Sequence, residues 1–215
     1  MNIEAIKFFE KMRQNDDKVM KIVTSVQDIL SSYLNGIQPT LVGSVAMSLN
    51  IPTSDIDFAI SLDLKNKIKF VESLKDRLEF RGERPAGIDS TRFLFCMKYQ
   101  GYHIDLNLMD ENDFKLLKAG MLKAKFMMTI EEKANHTFLK NQLKESGRLD
   151  EFENHKLTVY KRFCPNLLWV TDQELVLKIS EDLKGKGTPL PQWLVEKLKS
   201  QRSVPVARTH QIIKK

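Results

Sequence analysis

The sequence predicts an α+β fold, with a mixed or antiparallel sheet and flanking helices over residues 1–112 and an all-helical lobe over 113–215. Three observations predict it. Apolar residues recur at three- and four-residue spacing near the N-terminus and again, almost without interruption, after Asp113. Between those helical stretches lie short runs of strand character, "SDIDFAISL", "STRFLFCMKY" and "GYHIDLNLM". The charge is also divided: residues 1–112 carry 14 basic and 16 acidic side chains, net −2, while residues 113–215 carry 20 and 12, net +8.

The elements follow in chain order. Ile3, Ile6 and Phe9, then Val19, Ile22, Val23, Val26, Ile29, Leu30 and Leu34, give a helical period over 3–34, broken at "NDD" where Asp16 or Asp17 would cap a second helix. "NGIQP" ends it, and "PTLV" reads as a short strand. "SVAMSLN" reads as one or two helical turns with Ser44 at the N-cap, and "SDIDFAISL" alternates as a strand. Leu64, Ile68, Val71, Leu74 and Leu78 restore the helical period up to Phe80. Two strands then meet at Gln100-Gly101, a hairpin turn signal. From Asp113 three long helical segments follow, with Gly120 and Thr129 as candidate breaks in the first stretch and Cys164-Pro165 ending the segment before it. "PQWLVEKLKS" reads as a short last helix and "VPVARTHQIIKK" as a tail without period.

Composition narrows the class. Hydrophobic content of 42% and charged content of 29% are those of a soluble globular protein. No apolar run approaches the roughly 20 residues of a membrane span, and the N-terminus, charged throughout, has no cleavable apolar region. Cys96 and Cys164 sit far apart in apolar company, which predicts reduced thiols and a cytoplasmic compartment. No Cys or His pair has zinc-ligand spacing.

The chemistry concentrates in "LVGSVAMSLNIPTSDIDFAI", residues 41–60. Asp55 and Asp57, two apart on a strand, share one face while Ile56 and Phe58 face the core. Carboxylates this close repel unless a cation lies between them, and Mg²⁺ (or Mn²⁺) suits such oxygen ligands. Asp105 in "YHIDLNL" repeats the pattern, and three carboxylates brought together can hold two divalent ions. Gly43 permits close backbone approach, and Ser44 opening a helix places free N–H groups where phosphate oxygens bind.

Gly-Ser, ten residues, Asp-Ile-Asp and then the distal "HIDLNLM" resemble the signature of the DNA polymerase beta-type nucleotidyltransferase superfamily over roughly residues 20–110. The resemblance implies the palm fold of that superfamily, with Gly43 and Ser44 on the triphosphate and Asp55 and Asp57 on Mg²⁺. Asp105 would bind metal and help deprotonate the acceptor hydroxyl. It also implies a lysine from the helical lobe reaching the triphosphate. Lys156 and Tyr160, at i and i+4 on one helical face, are the candidates for nucleotide contact, with Lys140 behind them. The subfamily is not identified.

Arg92 is open to two readings, a triphosphate contact or an ordinary ion pair, and His103 reads as a solvated strand histidine. Trp169 and Trp193 read as core anchors and the nine methionines as core filler. The whole predicts a nucleotidyltransferase that moves a nucleoside monophosphate, AMP by default, from a triphosphate to a hydroxyl and releases pyrophosphate. The basic lobe favours RNA or another anionic acceptor. A protein or small-molecule acceptor is the alternative within the class. A nonenzymatic nucleotide- or RNA-binding module is the alternative outside it. No membrane partner is expected, and the sequence leaves the oligomeric state open.

Overall fold

The computed structural model describes residues 2–34, 37–62, 67–74, 77–85, 92–167, 169, 172–187, 189–190, 192, 194–195 and 198. In chain order the elements are α1 (Ile3–Arg13), α2 (Asp16–Tyr33), β1 (Thr40–Val42), α3 (Gly43–Ala46), β2 (Ile56–Ser61), α4 (Lys67–Leu74) and β3 (Glu79–Pro85). Then come β4 (Phe93–Tyr99), β5 (Tyr102–Met109), α5 (Glu111–Met127), α6 (Ile130–Glu145), α7 (Leu149–Phe163) and α8 (Asp172–Gly185). The chain divides into two compact units, Met1–Trp169 and Val170–Lys215. The change from sheet to helices at 112/113 lies inside the first unit.

The five strands form one mixed sheet in the order β1-β2-β5-β4-β3. Only the central β2–β5 pair is parallel; its neighbours are antiparallel. Alternation along the strands gives the sheet two apolar faces. Ile56, Phe58 and Ile60 of β2 join Ile104, Leu106 and Leu108 of β5 in one core beneath α2 and α4. Ala59 and Met109 join a second core with Met121 and Ala124 of α5 and Val159 and Phe163 of α7. α1 packs on α6 through Ala5, Phe9 and Ala134.

Local chemistry explains most boundaries. Asn2 caps α1 by accepting the Ala5 N–H at 3.2 Å. Asn15, not Asp16 or Asp17, holds the N-cap position of α2, without a side-chain bond. The two aspartates lie inside the first helical turn, where their charge favours the helix dipole. Gln100 and Gly101 both take positive φ, 48° and 86°, as the tight β4–β5 turn requires. Thr129 ends the α5 stretch and opens α6 with a full capping box: its hydroxyl accepts the Glu132 N–H while Glu132 accepts the Thr129 N–H.

Two further expectations are corrected. Gly120 does not break α5 but lies in its middle, because a side chain there would strike Cys164 and the Phe163 carbonyl, 2.7 Å from a Cβ. The helical reading up to Phe80 is also wrong at its end, since residues 79–85 form β3, the edge strand of the sheet. "EFRGERP" is charged, contains Gly and Pro, and pairs through a register shift between Phe80 and Gly82. Those are devices that protect an edge strand and erase the alternation by which a strand is recognised. In the second unit, α8 buries Leu175, Val176 and Ser180 on one side. The expected last helix falls largely, and the tail wholly, outside the described residues.

Candidate active site

The site begins where β1 ends. Val42 is the strand partner of Asp57, so the next residue turns directly over that carboxylate. Gly43 has φ +68°, and a Cβ on it would collide with the Asp57 carboxylate, whose Cγ lies 2.7 Å from that position. Glycine is therefore required both by dihedral and by contact. Ser44 is buried and is the second residue of α3, not its N-cap; Val42 holds the cap position. The turn is tight enough that the helix already includes Gly43.

Asp55 is exposed, one residue before β2, and Asp57 lies within the strand. Its neighbours Ile56 and Phe58 are fully buried on the α2 side, so Asp57 faces the side covered by α5 and α7. Asp57 and Asp105 are direct partners in the parallel β2–β5 register, on strands about 4.8 Å apart. Burial, then the charges of Asp105 and Asp55, push the Asp57 carboxyl up to about 8; Lys156 and Lys140 pull it down by less. A net negative cluster of hard oxygen donors suits a divalent cation such as Mg²⁺, which would relieve that repulsion. Among the described residues no group of three or more His, Cys, Asp or Glu side chains stands in an arrangement that would hold a metal ion.

The opposite wall comes from α6 and α7. The charges of Lys156 and Lys140 both act on Asp57, and that of Asp57 in turn raises the Tyr160 hydroxyl above its usual range, after burial. The structure thus brings both sequence-predicted residues of α7 into the neighbourhood of the carboxylates. Lys156 is held by Glu153 at 3.2 Å and lies 5.1 Å from the Phe152 ring centre. Tyr160 packs on Trp169 with ring centres 4.6 Å apart.

Lys140, the weaker sequence candidate, is the more deeply placed lysine. It is only 3% exposed, and its ammonium donates to the Leu49 carbonyl at 3.1 Å and to Ser54 Oγ at 3.2 Å. Burial, then the charge of Lys156, lowers it to about 7, against the opposing pull of Asp57 and Asp55. Beside it His136 and His155 stack at 4.1 Å, and burial holds His136 down to about 3, hence neutral. The sequence signal for this polar stripe was the spacing of His136, Lys140 and Leu143 on one face of α6, all buried while Leu139 is exposed.

The remaining candidates resolve simply. Arg92 is buried, 3.6 Å from Asp113, with its guanidinium 5.8 Å from the Trp169 ring. His103 is exposed opposite Lys98. Trp169 is partly buried and donates its ring N–H to the Cys164 carbonyl at 2.9 Å, consistent with anchoring. Trp193 lies outside the described residues. Both cysteines are free thiols.

No protein-family profile matches the chain, and no curated protein sequence matches it. Solved structures do. A cytoplasmic RNA terminal U-transferase shares 15% identity at a TM-score of 0.51, covering 66% of this chain and 46% of its own. The Cid1 poly(U) polymerase bound to MgGTP shares 14% identity at 0.51, covering 67% of this chain and 49% of its own. The same polymerase with Mg 3′-dATP shares 17% at 0.51, covering 67% and 48%. This chain therefore spans about half the length of the solved chains it matches. The likeness shows the fold alone: the mixed five-stranded sheet and its flanking helices follow those of the terminal U-transferase and poly(U) polymerase structures.

Proposed function

We propose that the protein is a divalent-metal-dependent nucleotidyltransferase that transfers a nucleoside monophosphate from a triphosphate to the terminal hydroxyl of an RNA, releasing pyrophosphate. One observation carries the reading: Asp57 and Asp105 face each other in strand register while Gly43 turns against the Asp57 carboxylate. Phosphate turn and carboxylates are thereby in contact. RNA is favoured as acceptor because the similar solved proteins are an RNA terminal U-transferase and a poly(U) polymerase, and because residues 113–215 carry a surplus of +8. The base of the triphosphate is left open, with AMP the default.

In this reading Asp55, Asp57 and Asp105 hold the metal, which neutralises phosphate charge and lowers the pKa of the attacking hydroxyl when bound. Gly43 and Ser44 face the phosphates. Asp105, on the strand next to Asp57, orients the acceptor hydroxyl and accepts its proton. Lys156 supplies positive charge toward the triphosphate, and Tyr160, stacked on Trp169, borders the nucleotide.

The test is incubation with each α-labelled triphosphate, a short RNA and Mg²⁺ or Mn²⁺. Labelled, extended RNA is expected from the wild type and its loss with EDTA. Asp57→Asn should reduce transfer by a factor on the order of 10³ or more, the scale of losing a metal ligand together with its electrostatic stabilisation. Wild-type turnover in that variant, or label appearing only on protein or small molecules, would overturn the assignment or its acceptor.

A further inference from the structure

Strand pairing of Val42 with Asp57 seats Gly43 against that carboxylate, but Asp55 lies before β2 and is joined to α3 only by the loop 47–54. A loop of that length has no sheet or helix ladder to define it. Its apolar anchors are Met47, Leu49 and Ile51, 1%, 1% and 3% exposed. Its polar groups are bound from outside by two cations. Arg13 of α1 donates to the Asn50 carbonyl at 3.1 Å. Lys140 of α6, 91 residues away in sequence, donates to the Leu49 carbonyl and to Ser54 Oγ.

Both of Lys140's partners lead straight to the site. The Leu49 N–H donates to the Ser44 carbonyl at 2.7 Å, so the residue bound at its oxygen by Lys140 is bound at its nitrogen by the phosphate turn. Ser54 immediately precedes Asp55. Its hydroxyl oxygen also accepts the Ile51 N–H at 2.9 Å, and its own N–H donates to the Ile51 carbonyl at 2.9 Å. A buried ammonium is costly unless oxygens surround it, and the oxygens it finds here belong to this loop.

We infer that Lys140 is a positioning residue: it clamps the loop joining Ser44 to Asp55 and so sets the place of Asp55, the carboxylate outside the strand ladder, relative to the turn at Gly43-Ser44 and to Asp57. Its consequence for transfer rests on the nucleotidyltransferase reading; its consequence for the loop does not. The ammonium directs two of its three N–H donors to this loop, which separates its role from that of Lys156. A displacement of about 1 Å between reacting groups costs on the order of 10² in rate.

The experiment compares wild type, Lys140→Met, Ser54→Ala and the double variant, first by amide hydrogen exchange without nucleotide or metal, then by steady-state transfer. In Lys140→Met, exchange across residues 49–54 should rise at least about tenfold while α2, β2 and β5 keep their protection. The kcat should fall by about 10–100-fold with the KM for triphosphate within about threefold. Ser54→Ala should act in the same direction, and the double variant should lose little more than Lys140→Met alone, since the two share one contact. If Lys140→Met does not fold, Lys140→Gln, which keeps a donor, takes its place in the same cycle. Unchanged loop exchange in a folded variant overturns the clamp, and so does full additivity. A large rise in KM with the loop still protected would also overturn it, by placing Lys140 on the triphosphate. A wild type that transfers nothing ends the nucleotidyltransferase reading, and the exchange result then decides the clamp by itself.

Discussion

Gly43 is constrained by a φ of +68° and by the Asp57 carboxylate where its Cβ would lie, so neither alanine nor any larger residue fits without moving Asp57. Gly43→Ala should destabilise the fold by about 1–3 kcal/mol, the usual cost of a forced conformation, and should cut transfer by on the order of 10² through displacement of Asp57. Thermal unfolding and labelled transfer check both parts; a stable and active alanine variant would show that the turn does not press on the carboxylate. Asp57 offers a second measurement that needs no activity. Its carboxyl lies near 8 in the folded protein against 3.8 when unexposed to the site, so between those values the native state holds a proton that the unfolded state has lost. Stability from this group is therefore present below about pH 4, falls as pH rises toward 8, and is flat above. His136, held down to about 3, works in the opposite sense between pH 3 and 6.5, so the total profile is mixed. The difference between wild type and Asp57→Asn cancels His136 and reports Asp57 together with Lys140, whose charge is coupled to it: the asparagine variant should gain relative stability with rising pH, and millimolar Mg²⁺ should reduce that difference by stabilising the wild type alone. Urea denaturation from pH 4.5 to 8.5 reads it. A difference independent of pH would show that Asp57 is not crowded by Asp55 and Asp105.

At the scale of elements, the packing of α5 on the end of α7 turns on one missing side chain. A Cβ at Gly120 would meet the Phe163 carbonyl at 2.7 Å and the Cys164 side chain closer still. Alanine would ordinarily strengthen a helix interior by about 1 kcal/mol over glycine, but here it must push α5 off α7, at a cost of roughly 1–3 kcal/mol. Gly120→Ala should lower the melting temperature by about 3–6 °C; a rise would mean that the two helices do not touch there. Residue spacing alone misread this glycine as a break, because a helical glycine and a terminating glycine look alike until the neighbouring helix is known. Elements with strong periods were legible: α2 buries Ile22, Val23, Val26 and Leu30, and β5 buries Ile104 and Leu106, the residues their spacing marks. β3 was not, since an edge strand of Glu, Arg, Gly and Pro lacks the alternation that identifies a strand. The site divides in the same way. Gly43, Ser44, Asp55, Asp57 and Asp105 stood out because strand alternation and a short turn act within a few residues. The facing of Asp57 and Asp105 depends on a parallel pairing between strands 48 residues apart, and the burial of Lys140 depends on a loop carbonyl and a serine hydroxyl supplied from another part of the chain. No local pattern encodes either.

For the whole molecule, charge distribution is the property that bears on the acceptor. The chain carries +6, with the surplus in residues 113–215. Lys118, Lys123 and Lys125 of α5 are exposed. A polyanion bound by such side chains releases condensed counterions, about 0.7 per phosphate contact on a single strand, so affinity falls linearly on a log–log plot against salt. Four contacts would give a slope near −3 and roughly a fiftyfold weakening from 50 to 200 mM salt. Individual substitutions such as Lys123→Ala should each weaken RNA by a modest factor and reduce the slope by less than about one, because phosphate contacts position the strand without reading its sequence. The affinity for triphosphate, which the proposed function places at Gly43, Ser44 and the carboxylates, should stay nearly constant in those variants. Lys156→Ala should behave in the reverse way, raising the KM for triphosphate while leaving the salt slope of RNA binding unchanged, since its charge acts on Asp57. Fluorescence anisotropy of a labelled oligonucleotide at a series of salt concentrations measures the first set, and steady-state kinetics the second. A slope near zero, with no RNA binding even at low salt, would remove RNA as the acceptor and direct the search to a neutral hydroxyl, while Asp57→Asn would continue to report on the transfer chemistry itself.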